Sequence, residues 1–188
     1  MKLRAVALAF ACALAPARTL GSTVPDEPLV DQDGRAVRLF SDVMKGRIVA
    51  VNFIYTDCTT ICSPMTAVLA RVQDHLGARL GKDVALVSIS LDPERDTPAR
   101  LKEFADRFRR RAGWTFLTGE PEHVRRALRG LGGWQSEKSA HGAFLLVGDP
   151  AVGRWKRVNG FAPPQRIAEE IEAALAMRGP VSRAGSAR

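Results

Sequence analysis

The chain has 188 residues, of which 46% are hydrophobic and 26% charged, and it contains only three cysteines. This length suits one domain of ordinary size together with a targeting segment. Three cysteines are too few for a disulfide-stapled miniprotein, and 16 glycines with 11 prolines are too few for a fibrous or disordered chain. The formal net charge of +8 would suit a nucleic-acid partner, so the compartment of the protein has to be considered first.

The N-terminus has the features of a secretory signal. Lys2 and Arg4 precede an unbroken apolar run over residues 5–15, and the small residues Ala15-Pro16-Ala17 end it. The run is about half as long as the ~20 residues that a membrane-spanning helix needs. A positive start, a short apolar centre and a small-residue exit predict a signal peptide rather than a buried first helix.

We therefore expect three segments: a secretory signal peptide over residues 1–21, one domain over residues 22–178 and a flexible tail over residues 179–188. The protein is then exported to a bacterial periplasm, and it is membrane-associated if the signal stays uncleaved as an anchor. We expect no nucleic-acid partner. The run Arg109-Arg110-Arg111 is interpreted as a solvated face, with an acidic protein or a membrane surface as the alternative partner.

The predicted elements indicate one α/β domain. A hairpin is expected around Asp33-Gly34, because this turn dipeptide separates two short apolar runs. Helical crossovers make the first central strands parallel, with helices on both faces of the sheet and functional loops at the carboxyl ends of the strands. Strands are predicted over residues 48–55, 84–91, 114–117, 144–147 and 155–158, and helices over residues 64–80, 97–108, 121–131 and 163–177.

The loop after the first central strand carries Cys58 and Cys62, the two cysteines that remain once Cys12 leaves with the signal. On an ideal helix, a four-residue spacing puts two Cβ atoms about 5–6 Å apart. A disulfide needs about 3.5–4.5 Å between Cβ atoms, whereas two sulfurs hold a soft metal across a wider gap. The spacing favours metal binding and leaves reversible oxidation or a structural disulfide open. Ser63 as a cap and Pro64 in the first turn would start the helix after Cys62.

A third ligand would favour metal binding over the other interpretations of the pair, and the chain offers three histidines as candidates. His75 lies thirteen residues beyond Cys62, about 20 Å along a continuous helix, and is too distant to share a metal with it. His123 is expected at the surface, in the first turn of a later helix. His141 lies in a polar stretch before a buried strand, and in the expected winding its loop can lie beside the cysteine loop. An ordinary surface histidine is the alternative interpretation of His141.

Three segments resemble the Sco (SenC) family of copper-binding, thioredoxin-like proteins. They are VNFIYTDCTTICSPM, with a CxxxC loop after a strand, SISLDPERDTPARLKEF, with a DPxxDTP turn into a helix, and SAHGAFLLVGDPAVGRW, with a loop histidine before a strand. The resemblance extends from about Leu29 to Met177. It implies a thioredoxin-like α/β fold with a mixed central sheet flanked by helices and an N-terminal β-hairpin. It also implies one copper ion, Cu(I) or Cu(II), bound by Cys58, Cys62 and His141.

The role that this resemblance implies is that of a metallochaperone, which delivers copper to the binuclear copper site of cytochrome c oxidase or reduces the cysteines of that site. Its partners are then the oxidase subunit that carries this site and a thiol reductant of thioredoxin type, because the cysteines must be reduced before a metal enters. A thiol–disulfide oxidoreductase or redox-signalling protein that uses the same pair is the alternative, and a peroxide-reducing enzyme is a third. Thr59 and Ser63 stand where the family commonly has proline after each cysteine, so we expect the rigidity of the loop to differ.

The segment over residues 92–97 is interpreted as structural: a turn, an internal charge pair and a helix cap at Thr97. Asp57, next to Cys58, is interpreted as an exposed loop carboxylate, with an outer-sphere role at the metal as the alternative.

Overall fold

The computed structural model describes residues 24–137 and 142–178. The predicted signal peptide, the predicted tail from residue 179 and His141 lie outside these ranges. Within them, no helix combines the length and the apolar character that crossing a bilayer requires.

A mixed sheet forms the centre of the domain. Its strands in the described ranges are β1 (Pro28–Asp31), β2 (Ala36–Arg38), β3 (Ile48–Ile54), β4 (Val84–Ser90), β5 (Trp114–Thr118), β6 (Phe144–Asp149) and β7 (Arg154–Asn159). Their spatial order is β2-β1-β5-β4-β3-β6-β7. Strands β3, β4 and β5 run parallel, whereas the hairpins β1–β2 and β6–β7 pair antiparallel with their neighbours. The mixed sheet and the N-terminal hairpin confirm the predicted thioredoxin-like α/β fold.

The helices connect these strands as the sequence predicted. They are α1 (Cys62–Leu76), α2 (Pro98–Arg107), α3 (Pro121–Gly130) and α4 (Pro164–Arg178), with a π-helical turn over Leu39–Met44 and a 3-10 turn over Gly77–Arg79. The bounds of α2 and α3 are within a residue of the prediction, because proline at the first position suits the first turn of a helix. Thr97 caps α2, and its side chain accepts the N–H of Arg100. The cap predicted at Thr97 is thus confirmed.

The start of α1 differs from the prediction. The helix begins at Cys62 rather than after it, and Ile61 caps it without a side-chain hydrogen bond, so Ser63 is not the cap. Pro64 fits inside the first turn because the first N–H groups of a helix have no partner within it. The N–H of Met65 donates to the carbonyl of Ile61 over 3.0 Å. Cys62 therefore has a helical backbone, and only Cys58 lies in the loop.

The end of α1 is also earlier than predicted. Gly77 follows Leu76 with a φ of +52°, a left-handed conformation that glycine adopts at little cost. The apolar stripe that predicted a helix as far as Leu80 therefore continues through the 3-10 turn. The π-helical turn was not predicted, and it buries Leu39 and Met44.

The sheet divides the hydrophobic core into two layers. Helices α1, α2 and α4 pack on one face, through residues such as Leu69, Phe104 and Ile171. Helix α3 and the π-helical turn cover the other face, through Leu128 and Met44. Every residue of β3 and β4 is buried, as expected for central strands covered on both faces. The carboxyl ends of these two strands form the edge of the sheet that carries the cysteine loop, which we call the cysteine edge.

Candidate metal and dithiol site

Cys58 and Cys62 lie together at the cysteine edge. Strand β3 ends at Ile54, Cys58 follows in the loop, and Cys62 is the first residue of α1. The exposed fraction is 7% for Cys58 and 0% for Cys62, and both are free thiols. The structural disulfide that the sequence left open is therefore not formed in this structure.

Hydrogen bonds converge on the sulfur of Cys58. The thiol of Cys62 is hydrogen-bonded to it. The backbone N–H of Cys62 donates to the same sulfur over 3.4 Å, and the hydroxyl of Thr60 lies 3.7 Å from it. Donors of this kind stabilise a thiolate, because they supply positive partial charge where the negative charge forms.

The two thiols consequently ionise differently. Burial raises the pKa of Cys58, but hydrogen bonds from the Cys62 thiol and from backbone N–H groups of Thr60 and Cys62 outweigh burial and lower this pKa to about 7. Burial raises the pKa of Cys62 far above its ordinary value, and the hydrogen bond with Cys58 adds to the rise. Burial, followed by the contact with Cys58, raises the pKa of Tyr55 to about 12. Cys58 is therefore the thiol that ionises near neutral pH.

Asp96 holds the cysteine loop against the sheet. Its side chain is 1% exposed, and it accepts hydrogen bonds from the N–H of Thr56 over 3.1 Å and from the hydroxyls of Thr56 and Ser90 over 2.6 Å each. The internal charge pair predicted for residues 92–97 is therefore wrong for Asp96, whose carboxylate bonds outside that segment. Sequence reasoning missed this role, and the one available signal was an acidic residue directly before the helix cap.

A second contact joins the same loop to α2. Asp57, which precedes Cys58, is exposed as predicted and forms an ion pair with Arg100. Exposed ion pairs contribute at most about 1 kcal/mol to stability. The buried bonds of Asp96 therefore hold the loop more firmly than the ion pair of Asp57.

Two of the three histidines lie in the described ranges, and neither forms a metal-binding cluster with the two cysteines. His75 is exposed near the end of α1, which is continuous from Cys62, so the predicted exclusion is confirmed. His123 is half-buried rather than simply at the surface, and its Nδ1 lies 2.8 Å from Oε2 of Glu27. This contact depends on the packing of the segment before β1 against α3, which no local pattern shows.

The strand that follows His141 starts at the cysteine edge. Leu146 of β6 pairs with Val51 of β3, and the rings of Phe144 and Phe53 lie 5.7 Å apart. Strand β6 therefore begins where β3 ends. The described chain resumes at Gly142, at this same edge, whereas His141 itself lies outside the described residues.

The donor set at this site suits a soft metal ion. Two adjacent sulfurs come from Cys58 and Cys62, and in the described ranges no cluster of three or more His, Cys, Asp or Glu residues is placed to hold a metal. Thiolates select Cu(I), and an added imidazole also accommodates Cu(II). A closed structural zinc site needs four protein ligands. The two sulfurs therefore fit copper better than structural zinc.

A free dithiol at the carboxyl end of the first central strand, on a mixed sheet with helices on both faces, defines a thioredoxin-like dithiol protein. Comparison with known proteins supplies the family. The sequence model of the SCO1/SenC family matches residues 21–176, and the chain belongs to this family.

Known relatives agree with this assignment. The SCO1 protein homolog of Bacillus subtilis is 44% identical over 90 residues, which are 47% of this chain and 45% of that protein. BsSco, described as a member of the Sco family of cytochrome c oxidase assembly proteins with a disulfide switch, is 32% identical with a TM-score of 0.69 over 84% of this chain and 96% of its own. Copper-bound ScoI of Bradyrhizobium japonicum is 26% identical with a TM-score of 0.66 over 79% of this chain and 96% of its own. The matches span about half the length of the curated relatives.

Proposed function

We propose that this chain is a metallochaperone that binds one copper ion as cargo through Cys58 and Cys62, with His141 as the third ligand. The observation that carries the proposal is the pair of adjacent, free and buried thiols at the cysteine edge. Two thiolates select Cu(I) over harder metals. The similarity to a ScoI structure with copper bound supports the same reading.

The chain's own residues account for capture and release. Cys58 ionises near neutral pH and offers the first thiolate, and Cys62 loses its proton when the metal binds. The loop is held by Asp96, so the sulfurs are positioned before copper arrives. Cys58 is the more exposed of the two, so a thiol of an acceptor protein reaches the cargo from the Cys58 side.

The acceptor in this proposal is the subunit of cytochrome c oxidase that carries the binuclear copper site. The protein delivers copper to that site or reduces its cysteines, after a thiol reductant of thioredoxin type has reduced Cys58 and Cys62. The description of BsSco as a cytochrome c oxidase assembly protein supports this choice. The proposed place of action is a bacterial periplasm, reached with the signal over residues 1–21.

Copper titration of the reduced protein tests the cargo. Against a competing Cu(I) chelator without oxygen, we expect about one Cu(I) per chain, and Cys58→Ser or Cys62→Ser should abolish tight binding because no described neighbour replaces the lost sulfur. Ser63→Ala is the matched control, since Ser63 adjoins Cys62 and its removal should leave the affinity unchanged. Unaltered stoichiometry in either cysteine variant rejects the proposal.

A thiol–disulfide oxidoreductase is the second candidate, and the unequal pKa values of the two thiols favour it. In dithiol exchange, Cys58 attacks a substrate disulfide and Cys62 resolves the mixed disulfide. Cys62→Ser should then trap the mixed disulfide with a model substrate, and Cys58→Ser should not. Rapid trapping together with no copper binding by the wild type would make this candidate the main function.

Export has its own test. Protein isolated from the periplasm should lack residues 1–21 or a closely similar stretch, and intact-mass spectrometry should show this. Recovery of the chain from the cytoplasm with its first residue in place would contradict the proposed localisation.

A further inference from the structure

Three arginines lie over two aromatic rings near the cysteine edge. The guanidinium carbons of Arg125 and Arg129 each lie 5.5 Å from the centre of the Trp134 ring, and that of Arg157 lies 4.2 Å from the centre of the Phe144 ring. Such contacts are favourable because the ring face is electron-rich. We call Arg125, Arg129 and Arg157 the arginine surface.

The arginine surface is held together at Gly132. The N–H of Gly132 donates to the carbonyl of Arg129 over 3.0 Å, and the carbonyl of Gly132 accepts from Nη2 of Arg157 over 3.1 Å. This hydrogen bond and the ring contacts restrict the side chains before any partner arrives. Less side-chain entropy is then lost on binding than at an ordinary arginine.

Two of these guanidinium groups have no carboxylate partner in the part of the chain that the structure describes. Arg125 pairs with Glu122, whereas Arg129 and Arg157 have only ring contacts and the Gly132 carbonyl within residues 24–137 and 142–178. Their charge is therefore available to a partner molecule.

The run Arg109-Arg110-Arg111, which the sequence indicated as a solvated face with an acidic protein or a membrane surface as the alternative, is less suitable as a docking site. Arg110 pairs with Asp33 over 3.5 Å, and Arg111 pairs with Asp74 over 2.5 Å. Only Arg109 of the run has no carboxylate partner among the described residues. Most of the charge of this run is therefore balanced within the protein.

The position of the arginine surface links it to the cysteines. Phe144 begins β6 beside Phe53, which lies five residues before Cys58. Trp134 lines a pocket of about 300 Å³ together with Leu91, and the N–H of Leu91 donates to the carbonyl of Ile54, the last residue of β3, over 2.7 Å. Cys58 and Cys62 belong to one core layer and Trp134 and Phe144 to the other, so a partner that covers this edge of the sheet contacts both.

We propose that the arginine surface docks an acidic face of the protein whose cysteines exchange copper or electrons with Cys58 and Cys62. This inference rests on the proposed function, because it concerns the partner of the same site. Charge complementarity at the unpaired guanidinium groups of Arg129 and Arg157 selects an acidic partner. Charges at the rim of an interface act mainly on the rate of association. We therefore expect the arginine surface to increase the rate at which the partner associates.

Two synthetic disulfide peptides serve as probes of the encounter. Each contains one disulfide, flanked by glutamates in the first peptide and by glutamines in the second. The Cys58 thiolate attacks the peptide disulfide and releases one peptide thiolate, and Cys62 then attacks Cys58 and releases the other. The protein loses two electrons and two protons and gains a Cys58–Cys62 disulfide, and the peptide gains both electrons and both protons.

Stopped-flow rates with reduced wild type should favour the glutamate peptide about tenfold at low salt. The preference should shrink at 1 M salt, where the Debye length is about 3 Å. The double variant Arg129→Gln with Arg157→Gln should lose the preference and keep the wild-type rate with the glutamine peptide. The control, Arg71→Gln with Arg109→Gln, removes the same charge from a pocket between α1 and the end of α2, and it should keep the preference.

Two outcomes would overturn the proposal: equal wild-type rates with both peptides, and an equal loss of preference in the control variant. Equal rates together with binding to phosphatidylglycerol vesicles that depends on Arg129 and Arg157 would assign the arginine surface to a membrane instead. Copper affinity is measured in parallel to separate this inference from the proposed function. A wild type that binds no copper and keeps the peptide preference contradicts copper carriage and supports the docking surface. Copper binding without the preference refutes the docking surface alone.

Discussion

At the scale of single residues, the cysteine loop is held by groups that lie elsewhere in the chain. Thr59 and Ser63, rather than proline, directly follow the two cysteines, so the backbone at these two positions is not restricted by a proline ring. The bonds from Thr56 to Asp96 and the ion pair of Asp57 with Arg100 connect the loop to the start of α2. These side-chain contacts therefore restrain the loop without a proline directly after either cysteine.

The role proposed for His141 predicts a selective loss of copper affinity in His141→Ala. Losing one of three ligands should weaken copper binding at least tenfold, which is about 1.4 kcal/mol, and should affect Cu(II) most because imidazole suits Cu(II). Disulfide exchange by Cys58 and Cys62 should survive, since it depends on thiolate character and access. His75→Ala is the control and should change neither property. Normal copper affinity in His141→Ala would remove His141 from the ligand set.

Asp96→Asn tests how firmly the buried carboxylate holds the loop. The substitution keeps the size of the side chain but replaces one acceptor oxygen with a donor, which faces the N–H or hydroxyl donors of Thr56 and Ser90. We expect the free energy of unfolding to fall by about 1–3 kcal/mol in chemical denaturation. Asp106→Asn, an exposed change on α2, should cost much less. Equal stability of the two variants would contradict a holding role for Asp96.

At the scale of elements, the first turn of α2 supports both the helix and the cysteine loop. Thr97 caps the helix, Asp96 precedes the cap, and Arg100 pairs with Asp57 from this same turn. Destabilising this turn should therefore also make the cysteine loop more mobile, although the loop lies some forty residues earlier in the chain.

Thr97→Ala removes the side-chain oxygen that accepts the N–H of Arg100. Loss of an N-cap of this type costs about 1 kcal/mol, and hydrogen exchange at the amide of Thr56 should become faster because its acceptor, Asp96, adjoins the cap. Thr97→Ser keeps the hydroxyl and should preserve both stability and protection. If Thr97→Ala left the exchange of the Thr56 amide unchanged, the cap and the loop would be independent.

At the scale of the whole molecule, carboxylates connect the two ends of the described domain to its centre. Asp26 accepts the N–H groups of Phe40 and Ser41 over 2.9 Å each, and Glu27 bonds Arg126 of α3 through two contacts of 2.8 Å. At the other end, Asp149 of β6 bonds Arg178 of α4 through two contacts of 2.7 Å. These carboxylate hydrogen bonds and ion pairs join the terminal segments to the rest of the domain. The stability of the domain should therefore be sensitive to acid.

Glu27 provides the test of acid sensitivity. The hydrogen bond from Arg126 is the largest influence on its pKa, which falls from 4.5 to about 2 despite partial burial. A lowered folded-state pKa gives stability that is present above pH 4.5 and lost as the pH falls towards 2. Wild type should therefore exceed Glu27→Gln in stability at neutral pH, and denaturation curves should converge as the pH falls through this window. Arg126→Gln should converge in the same way, and a gap independent of pH would contradict the linkage.

Much of this protein follows from its sequence, because the relevant signals are local. Apolar strands, helix-period stripes and prolines at helix starts placed most elements, and the loop after the first central strand marked Cys58 and Cys62 as the candidate site. The match of residues 21–176 to the SCO1/SenC family agrees with the resemblance seen in three short motifs. Each of these signals is contained in a stretch of residues that are neighbours along the chain.

The tertiary structure alone decided the contacts between distant segments. Asp96 meets Thr56 across forty positions, Glu27 meets Arg126 across ninety-nine, and Arg157 joins Gly132 across twenty-five. No periodicity or propensity encodes such pairs, because each depends on how the sheet stacks its strands and helices. The unequal pKa values of Cys58 and Cys62 have the same origin, since burial and hydrogen bonds around a sulfur exist only once the chain has folded.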